Sequence, residues 1–198
     1  MLLLFKNNII FVTLVTKEYI MEKQSEYIFV TYNVPSEPSR IRVYVWRLLK
    51  KLGALNIQQS LWILPDDDVI LKALDKVKDS IEKDGGCIYI VRGQFIYAGV
   101  DIVQKFIDER NSEYNEVLDY CQKFHDEMRI ETQQNNFTFA ELEENDEEYN
   151  KLCHWYEKIK ARDYFNATMG ETVIEQIKKC KIEFDKFTSR VYESNSKE

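Results

Sequence analysis

Between Tyr27 and Tyr97 the hydrophobic period changes from two to 3.6 and back, twice over, and few architectures accommodate that rhythm. Tyr27-Ile-Phe-Val-Thr-Tyr-Asn-Val34 is a β-branched and aromatic run ended by Pro35, which reads as a strand. Ser36-Glu37-Pro38-Ser39 then supplies hydroxyl caps and a proline for a helix start. From about Ser39 to Leu52 the residues Ile41, Val45, Leu48, Leu49 and Leu52 form one apolar stripe, closed by Gly53 behind Lys50 and Lys51. Ala54–Gln59 and Ser60–Leu64 read as two short strands, or as one strand broken at Gln58-Gln59-Ser60 and ended by Pro65. Asp66-Asp67-Asp68 is an acidic helix start, and Ile70, Leu74, Val77 and Ile81 give a second stripe before Gly85-Gly86. Cys87-Ile-Tyr-Ile-Val91 is the last strand. The order β-α-β-β-α-β predicts a ferredoxin-like sheet with both helices on one face, an α+β domain spanning 27–97.

Residues 98–198 read as helical throughout. Val103, Ile107, Arg110, Tyr114, Val117, Cys121, Phe124 and Met128 alternate steps of three and four, with one charged member. Gln133 to Asn136 is a polar turn. Thr138-x-x-Glu141 is a capping box for a second helix carrying Leu142, Tyr149, Leu152, Tyr156 and Ile159 on one face. Thr168-x-x-Glu171 predicts the same start for a third, with Val173, Ile177, Cys180, Phe184, Phe187 and Val191 aligned. Stripes this long require cover from each other, from the sheet, or from a second subunit. Only 6 Gly and 3 Pro in 198 residues fit long helices better than a loop-rich β fold.

Residues 1–26 read as a leader. Its apolar stretch resembles a signal peptide poorly: Lys6 alone precedes the main run, no small-x-small site follows, and the run is too short to span a bilayer. Thr16-Lys17-Glu18-Tyr19-Ile20-Met21 is what a translated ribosome-binding sequence and spacer would encode, so Met21 is the expected start. The four cysteines, at 87, 121, 153 and 180, are scattered without a Cys-x-x-Cys pair. That usage implies reduced, mostly buried thiols and a cytoplasmic compartment.

The net charge of −7 argues against a surface given over wholly to nucleic acid, but the charge is uneven. Residues 27–97 hold 10 basic and 8 acidic side chains, and residues 98–198 hold 14 and 23. Within the basic half, Arg40, Tyr44, Arg47 and Lys51 share a helical stripe, joined by Arg42 and Lys50. A cationic strip with an interleaved aromatic suits phosphate backbones or a small oxyanion; the alternative is a solvated face paired with the acidic helices. Cys121 and His125 lie one turn apart, and Cys153-His154 follow on the next helix. Adjacent Cys-His aims poorly at one ion, so packing is expected there and no metal or cofactor. The carboxylates Glu141, Glu143, Glu144, Asp146, Glu147 and Glu148 read as a solvated face. No Gly-rich phosphate loop, GxSxG or HExxH occurs, and no catalytic residue is assigned.

Val34-Pro-Ser-Glu-Pro-Ser-Arg40, Val45-Trp46-Arg47, Lys51-Leu-Gly53-Ala54 and Ser60-Leu-Trp-Ile-Leu64-Pro65 together resemble the N-terminal domain of ChrB, the chromate-resistance regulator family. Arg162-Asp163-Tyr164-Phe165 is similar to a late segment of that domain, so the likeness runs from about Tyr27 to Tyr192. The resemblance implies a regulatory protein with DNA, a second copy of the chain, or a small oxyanion such as chromate as partner. Full-length ChrB proteins carry a further C-terminal domain, and the resemblance is expected to cover their N-terminal domain alone. The front domain also resembles the small CRISPR-associated nucleases and PaaX-type repressors. In those nucleases a metal-binding Asp ends the first strand, where this chain has Asn33 in Tyr32-Asn33-Val34-Pro35. An amide is a poor ligand for Mg²⁺, so the resemblance implies a protein that is not an enzyme, with a divergent metal-dependent nuclease or an interaction scaffold as alternatives.

Overall fold

The computed structural model describes residues 26–35, 40–98 and 100–196. The leader, the expected start at Met21 and the 36–39 helix start lie outside them. Backbone contacts divide the chain into two units, Met1–Val100 and Asp101–Glu198.

The first unit contains β1 (Tyr27–Asn33), α1 (Arg40–Lys51), β2 (Leu55–Gln58), β3 (Leu61–Pro65), α2 (Asp68–Lys83) and β4 (Cys87–Gly93). The strands form an antiparallel sheet in the order β2-β3-β1-β4, the ferredoxin-like arrangement. β1 is central, pairing Ile28 with Leu64 and Val30 with Trp62 on one side, and Thr31 with Tyr89 on the other. Ile28, Val30, Trp62 and Leu64 share one face and are buried, as are Ile41, Val45 and Leu49 of α1 and Ile70, Leu74, Val77 and Ile81 of α2. The opposite face carries Tyr27 and Phe29, on whose rings Phe95 stands edge-on at 5.7 and 5.0 Å.

Local chemistry explains the boundaries. α1 ends in a Schellman pair: Gly53 N–H reaches the Lys50 carbonyl at 2.9 Å and Ala54 N–H reaches that of Leu49 at 3.0 Å. That turn needs a left-handed residue, and Gly53 has φ 76°. The Asp67 carboxylate caps α2, accepting from the amides of Val69 and Ile70 at 2.6 and 3.2 Å. The break at Gln58-Gln59-Ser60 makes two strands rather than one, with a register shift between Asn56 and Gln58 and Gln59 at φ 39°.

The second unit consists of α3 (Ile102–Gln134), α4 (Phe139–Lys160) and α5 (Met169–Asn195), each packed on the other two. Tyr114, Val117, Cys121, Phe124 and Met128 of α3 meet Leu152, Tyr156 and Ile159 of α4 and Val173, Ile177, Cys180, Phe184, Phe187 and Val191 of α5. The start of the α3 stripe differs from the sequence pattern: Ile102 and Phe106 are buried, whereas Val103 and Ile107 are only half-buried. Four-residue steps from 102 to 114 keep one face inward over the first three turns.

The capping expectations divide. Thr138 Oγ1 accepts from Glu141 N–H at 3.2 Å, as its motif predicts. Thr168 makes no side-chain cap and has helical dihedrals. Instead, Asn111 Oδ1 of α3 accepts from Met169 N–H at 3.0 Å, because a partner from another helix already occupies that end. Among the described residues no helix is long and apolar enough to cross a membrane.

Candidate functional site

The buried stripe of α1, at 41, 45 and 49, turns the remaining side chains outward. Arg40, Tyr44 and Arg47 fall together and line a groove of about 840 Å³. Its opposite wall is the end of α2, through Ser80, Lys83 and Asp84. Three cations against one carboxylate leave the groove positive. Val43 and Tyr44 add apolar and aromatic surface to it, and Trp46 is half-exposed on the same helix. Val43, Tyr44 and Trp46 thus place three large exposed side chains within about one helical turn. Cations beside exposed rings are what phosphates and stacked bases engage.

The remaining basic residues are placed elsewhere. Arg42 lines a separate hollow of about 500 Å³ with Asn33, Val34, Pro35, Gly85, Gly86 and Cys87. On that side, burial pushes the Tyr32 phenol up, opposed by the neighbouring Trp62 indole and by the Arg42 guanidinium. Lys50 and Lys51 occupy the last turn of α1 and do not line the groove, so the strip of six separates into three positions. Ser80, Lys83 and Asp84 carry no motif of their own. The signal for them is topological: two helices on one sheet face bring the start of one beside the end of the other.

Other motif positions serve the scaffold. Ser60 Oγ lies 3.3 Å from Thr31 Oγ1 across the β1–β3 pair, Leu64 is buried, and Pro65 ends β3 opposite Tyr27. In the helical unit, Arg162 donates through Nη2 to Glu113 at 2.9 Å and through Nη1 to the Lys158 carbonyl at 2.8 Å. Asp163 accepts from the Tyr114 hydroxyl at 3.2 Å and from Ala167 N–H at 3.0 Å. Phe165 packs on Phe106 at 5.1 Å, and Tyr164 is half-buried. The same Glu113 oxygen faces Arg110 at 3.0 Å, which explains the one charged member of the α3 stripe. Burial lowers the Arg110 pKa, and Glu113 opposes that shift. Burial first, and then Asp163, hold the Tyr114 phenol protonated.

The cysteines are less uniformly buried than their scatter implies. Cys121 and Cys180 are inside, Cys153 is half-buried and Cys87 is exposed, because β4 is an edge strand. Cys121 and His125 do come together, but with Cys180 of α5 rather than with Cys153-His154. Cys153 faces Tyr149, and His154 is exposed. Among the described residues no group of three or more His, Cys, Asp or Glu side chains is arranged to hold a metal ion. Glu143, Glu144, Asp146 and Glu147 are exposed, and Lys151 pairs with Glu147 and Glu148.

A protein-family model described as "Protein ChrB, N-terminal" matches residues 42–198. No curated protein and no solved structure matches the sequence.

Proposed function

The chain belongs to the ChrB N-terminal family, and on that premise we propose that it is a non-enzymatic regulatory protein of the chromate-resistance type that contacts nucleic acid through the α1–α2 groove. The observation that carries the reading is the convergence of Arg40, Arg47 and Lys83 around Tyr44. Cations spaced along one groove neutralise successive phosphates, while an exposed ring accepts a base or sugar face. A small oxyanion such as chromate would use the same two guanidiniums, as bidentate donors.

The partner expected beside nucleic acid is a second copy of the chain. β2 is short and interrupted by a register shift, which blunts one sheet edge. β4 is regular over seven residues and exposes Tyr89 and Val91, which leaves the other edge suited to pairing. Four cysteines without a disulfide support a reducing, cytoplasmic setting.

The test is a gel-shift titration on the DNA upstream of the protein's own gene, at low and moderate salt. The expected outcome is binding that weakens steeply as salt rises; no binding at low salt overturns the reading. Adding sulfate or chromate as competitor distinguishes an oxyanion site from a nucleic-acid groove. The alternative nuclease reading rests on the resemblance of the front domain, and Asn33, which lines a hollow with Arg42 at the end of β1, argues against it. Incubation with RNA and DNA in Mg²⁺ or Mn²⁺ tests it: cleavage by the native chain favours it, and cleavage by Asn33→Asp alone attributes the loss of activity to the amide.

A further inference from the structure

We propose that Cys121 and Cys180 are a reactive dithiol, an oxidation site in the helical unit that closes to a disulfide under a peroxide-type oxidant with His125 taking the proton. The site has no part in the groove on the first unit.

Its parts come from two helices. α3 presents Cys121 and His125 one turn apart, and α5 presents Cys180 and Glu183. Cys180 Sγ lies 3.5 Å from His125 Nε2 and 3.9 Å from the Cys121 carbonyl oxygen, which brings the two cysteines together across the α3–α5 seam. His125 Nδ1 is 2.6 Å from Glu183 Oε2. A carboxylate at that distance accepts a proton from Nδ1, which leaves the Nε2 lone pair facing the Cys180 thiol. Ordinary packing accounts for two small buried sulfurs, but not for an imidazole oriented by a carboxylate and aimed at one of them.

The environment separates the two thiols. Hydrogen bonding from Cys180 lowers the Cys121 pKa. Hydrogen bonding to Cys121 and then burial raise that of Cys180. The 3.5 Å contact gives the proton transfer to the Cys180–His125 pair, and the first attack accordingly falls to Cys121. Both sulfurs are buried, but His125 and Glu183 line an open hollow of about 650 Å³. The imidazole thus stands between that hollow and Cys180.

The Cys121 sulfur attacks a peroxide oxygen, the O–O bond breaks, and a sulfenic acid and one water result. The Cys180 S–H proton passes to His125 Nε2 as the Cys180 sulfur attacks the Cys121 sulfur. The S–S bond forms, the S–O bond breaks, and the hydroxide leaves as a second water with the proton from Nε2. Two thiols and one peroxide yield one disulfide and two waters.

The experiment uses the full chain with Cys87→Ser, which removes the exposed thiol. The folded protein is treated with hydrogen peroxide, quenched, alkylated in denaturant, and examined by intact mass and non-reducing peptide mapping. Expected are the loss of two hydrogens, a Cys121–Cys180 cross-link, an alkylated Cys153, and reversal by dithiothreitol. Cys180→Ala should stop at a sulfenic acid on Cys121, trapped by dimedone. Glu183→Gln, with an unchanged helical circular dichroism spectrum, should slow the cross-link several-fold. Oxygen added at Cys153 while Cys121 and Cys180 remain free overturns the proposal, as does a cross-link that forms only in urea. An unchanged rate in Glu183→Gln overturns the role of His125.

Discussion

The Tyr114 hydroxyl donates to the Asp163 carboxylate at 3.2 Å, joining the middle of α3 to the α4–α5 connection across 49 positions of sequence. Asp163 also accepts from Ala167 N–H, so one carboxylate orders both the turn and the helix it leads into. Tyr114→Phe removes one hydrogen bond and is expected to cost about 1 kcal/mol. Asp163→Ala strands the Tyr114 hydroxyl and the Ala167 amide and is expected to cost ~1–3 kcal/mol. Urea denaturation of both variants checks the order; equal losses would contradict it.

A Cβ on Gly86 would stand 2.6 Å from the Asn33 carbonyl oxygen and 2.8 Å from Ile81 Cγ2. The first neighbour is backbone in the β1–β4 ladder, where Asn33 pairs with Cys87, so it cannot yield without breaking register. Gly86→Ala is therefore expected to destabilise by about 1–3 kcal/mol through overpacking. Gly85→Ala meets open space and is strained only by φ 76°. Its loss should be smaller, about 1 kcal/mol, as read from thermal melts of the two variants.

Removing groove cations should change the salt response more than the fold. Arg40→Gln and Arg47→Gln are each expected to lower the slope of log K against log salt by ~0.9 for every phosphate the arginine neutralises. Lys51→Gln, outside the groove, should leave the slope closer to that of the native chain. Fluorescence anisotropy with labelled DNA at several salt concentrations makes the comparison.

Partial burial, followed by Glu144, Glu148, Glu131 and Glu141, raises the Glu127 pKa above its ordinary 4.5. The folded chain therefore binds this proton at pH values where the unfolded chain has released it. The residue destabilises the fold above its raised pKa, and the penalty fades as pH falls through that value towards 4.5. Glu127→Gln should raise the melting temperature at neutral pH, with the gain shrinking on acidification. A gain that grew on acidification would refute the sign.

Much of the architecture is legible in the residues. Strand runs ended by Pro35 and Pro65, glycine stops at Gly53 and Gly85, and the stripes of α1, α2 and α5 appear where the periodicity places them. The first turns of α3 sit one position away from the pattern, because steps of three and four leave the inward face ambiguous until a partner helix selects it. Asn145 is polar and gives no core signal, although it continues the 142–149–152 stripe; it is buried with Nδ2 donating to the Glu141 carbonyl at 2.8 Å. The basic strip is visible in the sequence, but its division is not. Arg40 and Arg47 meet Lys83 of α2, while Arg42 turns towards Asn33.

Element type, order, most boundaries and the family to which residues 42–198 belong are legible in local sequence. These depend on side chains within four positions of one another, or two along a strand, and chain geometry puts such neighbours in reach before any packing occurs. That Asn111 rather than Thr168 serves the start of α5 follows from packing between helices. The same packing sets Arg162 on Glu113 and His125 between Cys180 and Glu183. These partners stand 49 to 58 residues apart, and a helix surface offers several faces of similar chemistry. Which side chains meet is settled when three apolar stripes are buried together, and the polar pairs follow from that packing.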